Sequence, residues 1–140
     1  MHLTSLSMTA VERSLDGLAA RQAAIAHNIA NIATPGYVKR EVPFEETLLQ
    51  ALDEAHRPIS SSGGFTPEDG APVTSLHNDP LISWRPVTTT SSEGPQRLDG
   101  NQVAVEKEIS AMASNAIKFN ALSAVIAKDF QLLRTIAQAR

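Results

Sequence analysis

The side chains able to do acid–base, nucleophilic or metal chemistry are scattered along this chain. Four histidines occur, His2, His27, His56 and His77. Their nearest acids, Asp53 and Glu54 before His56 and Asp79 after His77, do not make a ligand set. Serines are abundant, yet no Gly-x-Ser-x-Gly elbow or Ser-x-x-Lys context surrounds any of them. Neither Gly63-Gly64 nor Gly70 opens a helix as a phosphate loop would. Glu106 and Glu108, beside Lys107, read as a solvated first helical turn with no second carboxylate cluster for acid–base work. There is no cysteine, which excludes disulfides, thiol catalysis and thiolate metal sites. No catalytic, cofactor-binding or metal-ligating residue is therefore expected, and the function reads as non-enzymatic.

The polar groups that hold attention are amides at the end of a helix. Asn28 and Asn31 are three residues apart, so they lie close together on its surface. Two readings stand. Asn31 satisfies late carbonyls while Asn28 is merely exposed, or both amides bond the following turn or a neighbouring molecule. That turn is Thr34-Pro35-Gly36-Tyr37. Pro35 disfavours the α conformation at Thr34 and stops the helix. Pro35 suits the second position of a turn and Gly36 the third, where a type II turn needs positive φ. Tyr37 is expected to be exposed beyond it.

The element carrying these residues is an amphipathic helix from about Thr4 or Met8 to Ala33. Met8, Val11, Leu15, Leu18, Ile25, Ile29 and Ile32 alternate at three and four, with Gln22 interrupting. After Tyr37 the chain should be extended to Val42. A short helix then follows, with Pro43 at its first position and Glu45 and Glu46 at its positive end. Phe44, Leu48, Leu49 and Leu52 share one face of it. A third helix spans about Gln102 to Ala137. Val105, Ile109, Met112, Ala116, Phe119, Ile126, Phe130, Leu133 and Ala137 keep the same rhythm, with Ser123 the soft position. Leu122, Val125, Leu132 and Ile136 add a second strip with no partner in the chain. That surplus implies burial against neighbouring molecules. If the long helices pair antiparallel, Gln22 and Ser123 could form a register-fixing polar layer, or each is a tolerated lapse.

Between Arg57 and Leu98 lie six of the eight prolines and four of the seven glycines. Breakers this dense forbid long helices and central strands. The segment reads as a variable linker, with the alternative of a small partner-contacting element around Leu81 to Val87; Phe65, Leu81, Ile82 and Trp84 could dock on something. The organisation expected is thus residues 1–55, helix, turn and short helix; 56–98, linker; and 99–140, the last helix, packing on the first. The fold class is mainly α, with long N- and C-terminal helices, expected to pair as an antiparallel coiled coil, and a Pro/Gly/Ser-rich irregular middle.

Net charge is −3, and no basic face suits nucleic acid. Residues 34–56 carry five acids against Lys39 and Arg40. No run approaches the roughly 18 apolar residues needed to span a bilayer. The N-terminus lacks the pattern of a cleaved signal peptide, so a soluble protein without a Sec-type signal is expected.

The run Asn28-Ile-Ala-Asn-Ile-Ala-Thr-Pro-Gly-Tyr37 resembles the N-terminal signature of the bacterial flagellar axial proteins, the rod and hook family. Asp99-Gly-Asn-Gln-Val-Ala-Val-Glu106, ahead of the last helix, resembles the lead-in of the family's proximal-rod branch, and Lys128-Asp-Phe-Gln-Leu-Leu-Arg134 fits the same branch. The resemblance covers roughly residues 8–55 and 97–137. It implies a structural subunit of a hollow rod in the basal body, crossing the periplasm, transmitting torque and allowing export through its lumen. Implied partners are copies of itself, other rod proteins, a rod adaptor, the membrane-ring protein and the flagellar type III export apparatus; no nucleic acid, small-molecule substrate or cofactor is implied. Asn28, Asn31, Thr34, Pro35, Gly36 and Tyr37 would form the assembly turn. Asp99, Gly100, Asn101, Val103 and Glu106 would form the lead-in to the last helix. Val11, Leu15, Leu18, Ile25 and Ile29 would meet Ile109, Met112, Phe119, Ile126, Phe130 and Leu133 in the helix seam. Rival readings are another axial rod component of the FlgC type, whose turn tends to carry an insertion before its Tyr, and a soluble helical-hairpin adaptor or export chaperone.

Overall fold

A computed structural model describes residues 2–56, 80–91, 98 and 100–138. The expectations for Ser60–Gly64, Phe65, His77 and Asp99 lie outside the described residues. In chain order the elements are α1 (His2–Ala30), β1 (Lys39–Glu41), α2 (Phe44–His56), α3 (Pro80–Ser83), β2 (Thr89–Ser91) and α4 (Val105–Gln138). The protein is mainly helical, with its two longest helices towards the two ends of the chain.

The core is small and sits where α2 and α3 pack on α1. It comprises Leu18, Ala24, Val42, Phe44, Leu48, Ala51, Leu81 and Trp84, with Leu6, Ala10 and Leu122 packed against it. Gly17 allows the approach of α2: a Cβ there would collide with the ring of Phe44. Phe44 also meets Trp84 edge to face at 6.3 Å and carries the Arg21 guanidinium 4.6 Å above its ring. Burying one such aromatic contributes about 2–3 kcal/mol. Arg21 is fixed in turn by the Val42 carbonyl at 2.8 Å and by the Glu45 carboxylate at 2.6 Å.

Residues 80–91 depart from the linker expectation. Leu81 is fully buried and Trp84 nearly so, with its indole N–H donating to Thr47 Oγ1 at 3.2 Å. Arg13 on α1 donates to the Leu81 carbonyl. These apolar residues are few, but they fill the gap between α1 and α2, so they dock within the chain. The Thr-rich stretch that follows pairs with β1 as an antiparallel ribbon, Lys39 opposite Ser91 and Glu41 opposite Thr89. On α2 the buried residues are Phe44, Leu48 and Ala51; Leu49, expected on the same face, is exposed because it lies one 100° step round the helix from Leu48.

The seam between the long helices also differs from its expectation. The α4 residues facing inward are Glu108 and Asn115, with Leu122 partly buried beyond them. Ile109 is 52% exposed, Phe130 57% and Leu133 57%, while Met112 and Phe119 sit at the margin and Ile126 is half-buried. Directed hydrogen bonds rotate α4 by about one residue step, which turns the apolar stripe outward. On α1, Leu18 and Ile25 are buried, and Val11, Leu15 and Ile29 are half-buried. An apolar groove of about 540 Å³ runs between the helices, lined by Leu18, Ala19, Ala23, Ala26, Ala116 and Phe119.

Among the described residues, α4 alone is long and apolar enough to cross a membrane by length and mean hydropathy. Counting consecutive apolar residues misses it, because Ser, Asn and Lys interrupt the run while alanines raise the mean. A helix packed among other helices carries the same composition.

Candidate functional site

Helix α1 ends at Ala30, three residues before the expected stop, and residues 31–36 form turns. Thr34 accepts the Tyr37 N–H at 3.3 Å, and Gly36 between them has φ of 70°. This is the positive φ expected from Pro-Gly. A Cβ at Gly36 would meet nothing within 4 Å, so glycine is needed there for its backbone freedom.

Asn28 decides between the two readings of the amides. It is fully buried, and both ends of its side chain are used. Its Nδ2 donates to the Arg40 carbonyl at 2.8 Å and to Glu108 Oε2 at 3.0 Å. Its Oδ1 accepts the Arg40 N–H at 2.9 Å and the Tyr37 hydroxyl at 3.2 Å. These four bonds match the two donors and two lone pairs of an amide. By pairing with both peptide groups of Arg40, Asn28 acts on β1 as a neighbouring strand would. Tyr37 is therefore not the exposed residue expected: half-buried, it folds back on Asn28. Asn31 keeps the first reading's role, donating to the His27 carbonyl at 2.8 Å while accepting from the Thr34 hydroxyl. Pro35 is exposed.

The segment before α4 completes the site. Asn101 is fully buried, and its Nδ2 donates to the carbonyls of Asn31, Ile32 and Thr34 at 3.0, 3.0 and 2.8 Å. One amide thus gathers three carbonyls of the turn segment that follows α1. Its Oδ1 accepts the Val103 N–H at 2.8 Å, which turns the chain into α4, and Gly100 before it has φ of 79°. Gln102 N–H reaches the Tyr37 carbonyl. The turn motif and the lead-in motif, far apart in sequence, are two halves of one hydrogen-bonded joint.

Glu108 overturns the solvated-turn reading. Glu106 is exposed, but Glu108 is 2% exposed. Its carboxylate accepts from Asn28 on one oxygen and from Lys39 Nζ, at 3.2 Å, on the other. Lys39 also pairs with Glu41 at 2.8 Å. Burial alone would lower the Lys39 pKa, but its bonds to Glu41 and Glu108 outweigh that and hold it above its ordinary 10.5. A buried carboxylate on a helix has no hydropathy signature, since its partners come from elements far away in sequence. The available signal was the spacing Asn101, Glu108, Asn115, Leu122. Among the described residues no three His, Asp or Glu side chains gather closely enough to hold a metal ion.

A small core, two long helices joined through buried polar contacts and a largely uncovered last helix define a helical subunit built for packing. No family model matches the sequence. Individual relatives do. The chain is 28% identical to the flagellar basal body rod protein FlgB of Bacillus subtilis, over 97% of this chain and 96% of the relative. It is 27% identical to that of Salmonella typhimurium, over 91% and 89%, and 25% identical to that of Borrelia hermsii, over 97% and 98%. These likenesses run nearly end to end and support a flagellar rod protein of the FlgB type.

Proposed function

We propose that the chain is a structural subunit of the proximal rod of the flagellar basal body. Relatives carrying that role match it over almost their whole length, and no observation favours a FlgC-type component or an export chaperone. The observation that carries the assembling role is the uncovered face of α4. Ile117, Val125, Phe130, Leu132, Leu133 and Ile136 are all 47–71% exposed. So much apolar surface on one helix is the mark of a subunit awaiting neighbours.

In the assembled rod, α1 and α4 pair antiparallel as a coiled coil and line the inner wall, with neighbouring subunits covering the outer face of α4 and the groove beside it. The support within the chain is that Glu108 lies opposite Asn28 while Asn115 lies opposite Leu18 and Gln22. The neighbours are further copies, other rod proteins, a rod adaptor and the membrane-ring protein. The subunit reaches the rod through the flagellar type III export apparatus, and the rod crosses the periplasm, carrying torque. Deleting the gene and imaging basal bodies tests the role. The expected result is a membrane ring without a rod; a complete rod in the deletion strain would reject it.

A further inference from the structure

Glu108 and Asn115 lie seven residues apart on α4 and Leu122 continues the count, while Asn101, seven residues before Glu108, sits in the non-helical lead-in to α4. The three polar residues are 0, 2 and 4% exposed. Each meets the N-terminal part of the chain at a different level. Asn101 holds the carbonyls of Asn31, Ile32 and Thr34, Glu108 takes Asn28 and Lys39, and Asn115 donates to the Leu18 carbonyl at 3.0 Å and to Gln22 Oε1 at 2.8 Å. A repeat of seven keeps one face of a helix turned to its partner. Ordinarily that face is apolar, and apolar contact is non-directional, so one alignment differs little from the next. Hydrogen bonds are directional, and a slipped helix would leave all three groups buried without their partners.

Asn115 shows that stability alone does not explain these residues. Its Oδ1 is buried with no donor, at the edge of an apolar groove. An apolar side chain would fit that place without an unmet acceptor.

We propose that Asn101, Glu108 and Asn115 form a register key, selecting one alignment of α4 on α1. The key thereby sets the level at which the apolar residues beyond Leu122 are presented. The proposal rests on the rod reading only in taking that face to be what a neighbouring subunit meets.

The chain has no cysteine, so spin labels can be placed at will. His27→Cys and Lys118→Cys put one label on the exposed side of each helix. Double electron–electron resonance on the full-length isolated chain should give one narrow distance population. In the background Asn101→Ala, Glu108→Leu, Asn115→Leu, helix content by circular dichroism should persist while a second population appears. A slip of one repeat displaces α4 by about 10 Å along its axis. Retained helix with one unchanged narrow distance would overturn the proposal, as would a broad distribution in the parent chain. If the triple variant loses its helices, Asn115→Leu alone decides: a broadened distance with an undiminished melting temperature supports the key, and an unchanged distance overturns it. Because the isolated chain is measured, the outcome is independent of whether the protein builds rods.

Discussion

Asn28 and Glu108 stand 80 residues apart in sequence and 3.0 Å apart in space. The contact is buried, and each partner has a second obligation: Asn28 also holds β1 and Tyr37, and Glu108 also holds Lys39. Replacing Asn28 releases groups on β1, on α4 and at Tyr37, and replacing Glu108 releases groups on α1 and β1. We expect Asn28→Ala to cost about 3 kcal/mol, since it takes the bonds from both peptide groups of Arg40 and leaves one buried oxygen of Glu108 without its donor. Asn28→Asp should be worse at neutral pH, because it sets a second carboxylate beside Glu108, and should recover partly as acid protonates the introduced carboxyl. Urea midpoints at neutral and acid pH measure both effects.

Gly17→Ala tests the packing of α2 on α1. The added Cβ would lie 2.7 Å from Phe44 Cε2, closer than real contacts allow. Phe44 would have to move, disturbing Arg21 above it and Trp84 beside it. The expected cost is about 1–3 kcal/mol, read as a lower melting temperature with loss of tryptophan burial in fluorescence.

The ion pairs give stability opposite limits at the two ends of the pH scale. Glu45 is held below its ordinary value of 4.5, first by the hydrogen bond from Arg21. Its contribution is present above the unfolded value and is lost as pH falls through the lowered folded value. Lys39 is raised, so its contribution is present below 10.5 and is lost as pH rises through the higher folded value. Glu45 is half exposed, so its effect is modest and weakens with salt. Glu45→Gln should flatten the acid limb of a melting-temperature profile and leave the alkaline limb unchanged.

Much of the framework was legible in the residues. Pro35-Gly36 predicted the positive φ that is found, and the three–four spacing placed Leu18 and Ile25 in the interior. The short helix after Pro43 begins one residue later than expected. What the pattern hid was polar. Glu108 looked like a surface charge and Tyr37 like an exposed ring, because each is drawn inward, Glu108 fully and Tyr37 in part, by partners that local spacing does not reveal. The α4 stripe was displaced for the same reason: hydropathy counted Ile109 and Phe119, while Asn115 and Glu108 found hydrogen-bond partners on α1. Trp84 was recognised as able to dock, but its site between α1 and α2 exists only once those helices meet.

Order along α4 should be uneven in the dilute protein. Its lead-in is tied by Asn101 and its first turns by Glu108 and Asn115, whereas beyond Leu122 its apolar side chains are mostly exposed. Helix lacking tertiary support is marginal in water. Hydrogen exchange should show protection across Glu108–Asn115 and little beyond Ile126. Uniform strong protection to the end of α4 would show that the helix needs no neighbour.

The central claim is that the two sequence signatures close into one joint on which rod assembly depends. The direct measurement is to count rods in purified basal bodies, by electron microscopy, from a deletion strain carrying either the wild-type gene or Asn28→Ala with Asn101→Ala. Wild-type protein should restore rods, and the double variant, expressed at equal level, should leave rings without them. Normal rod numbers with the double variant would contradict the account.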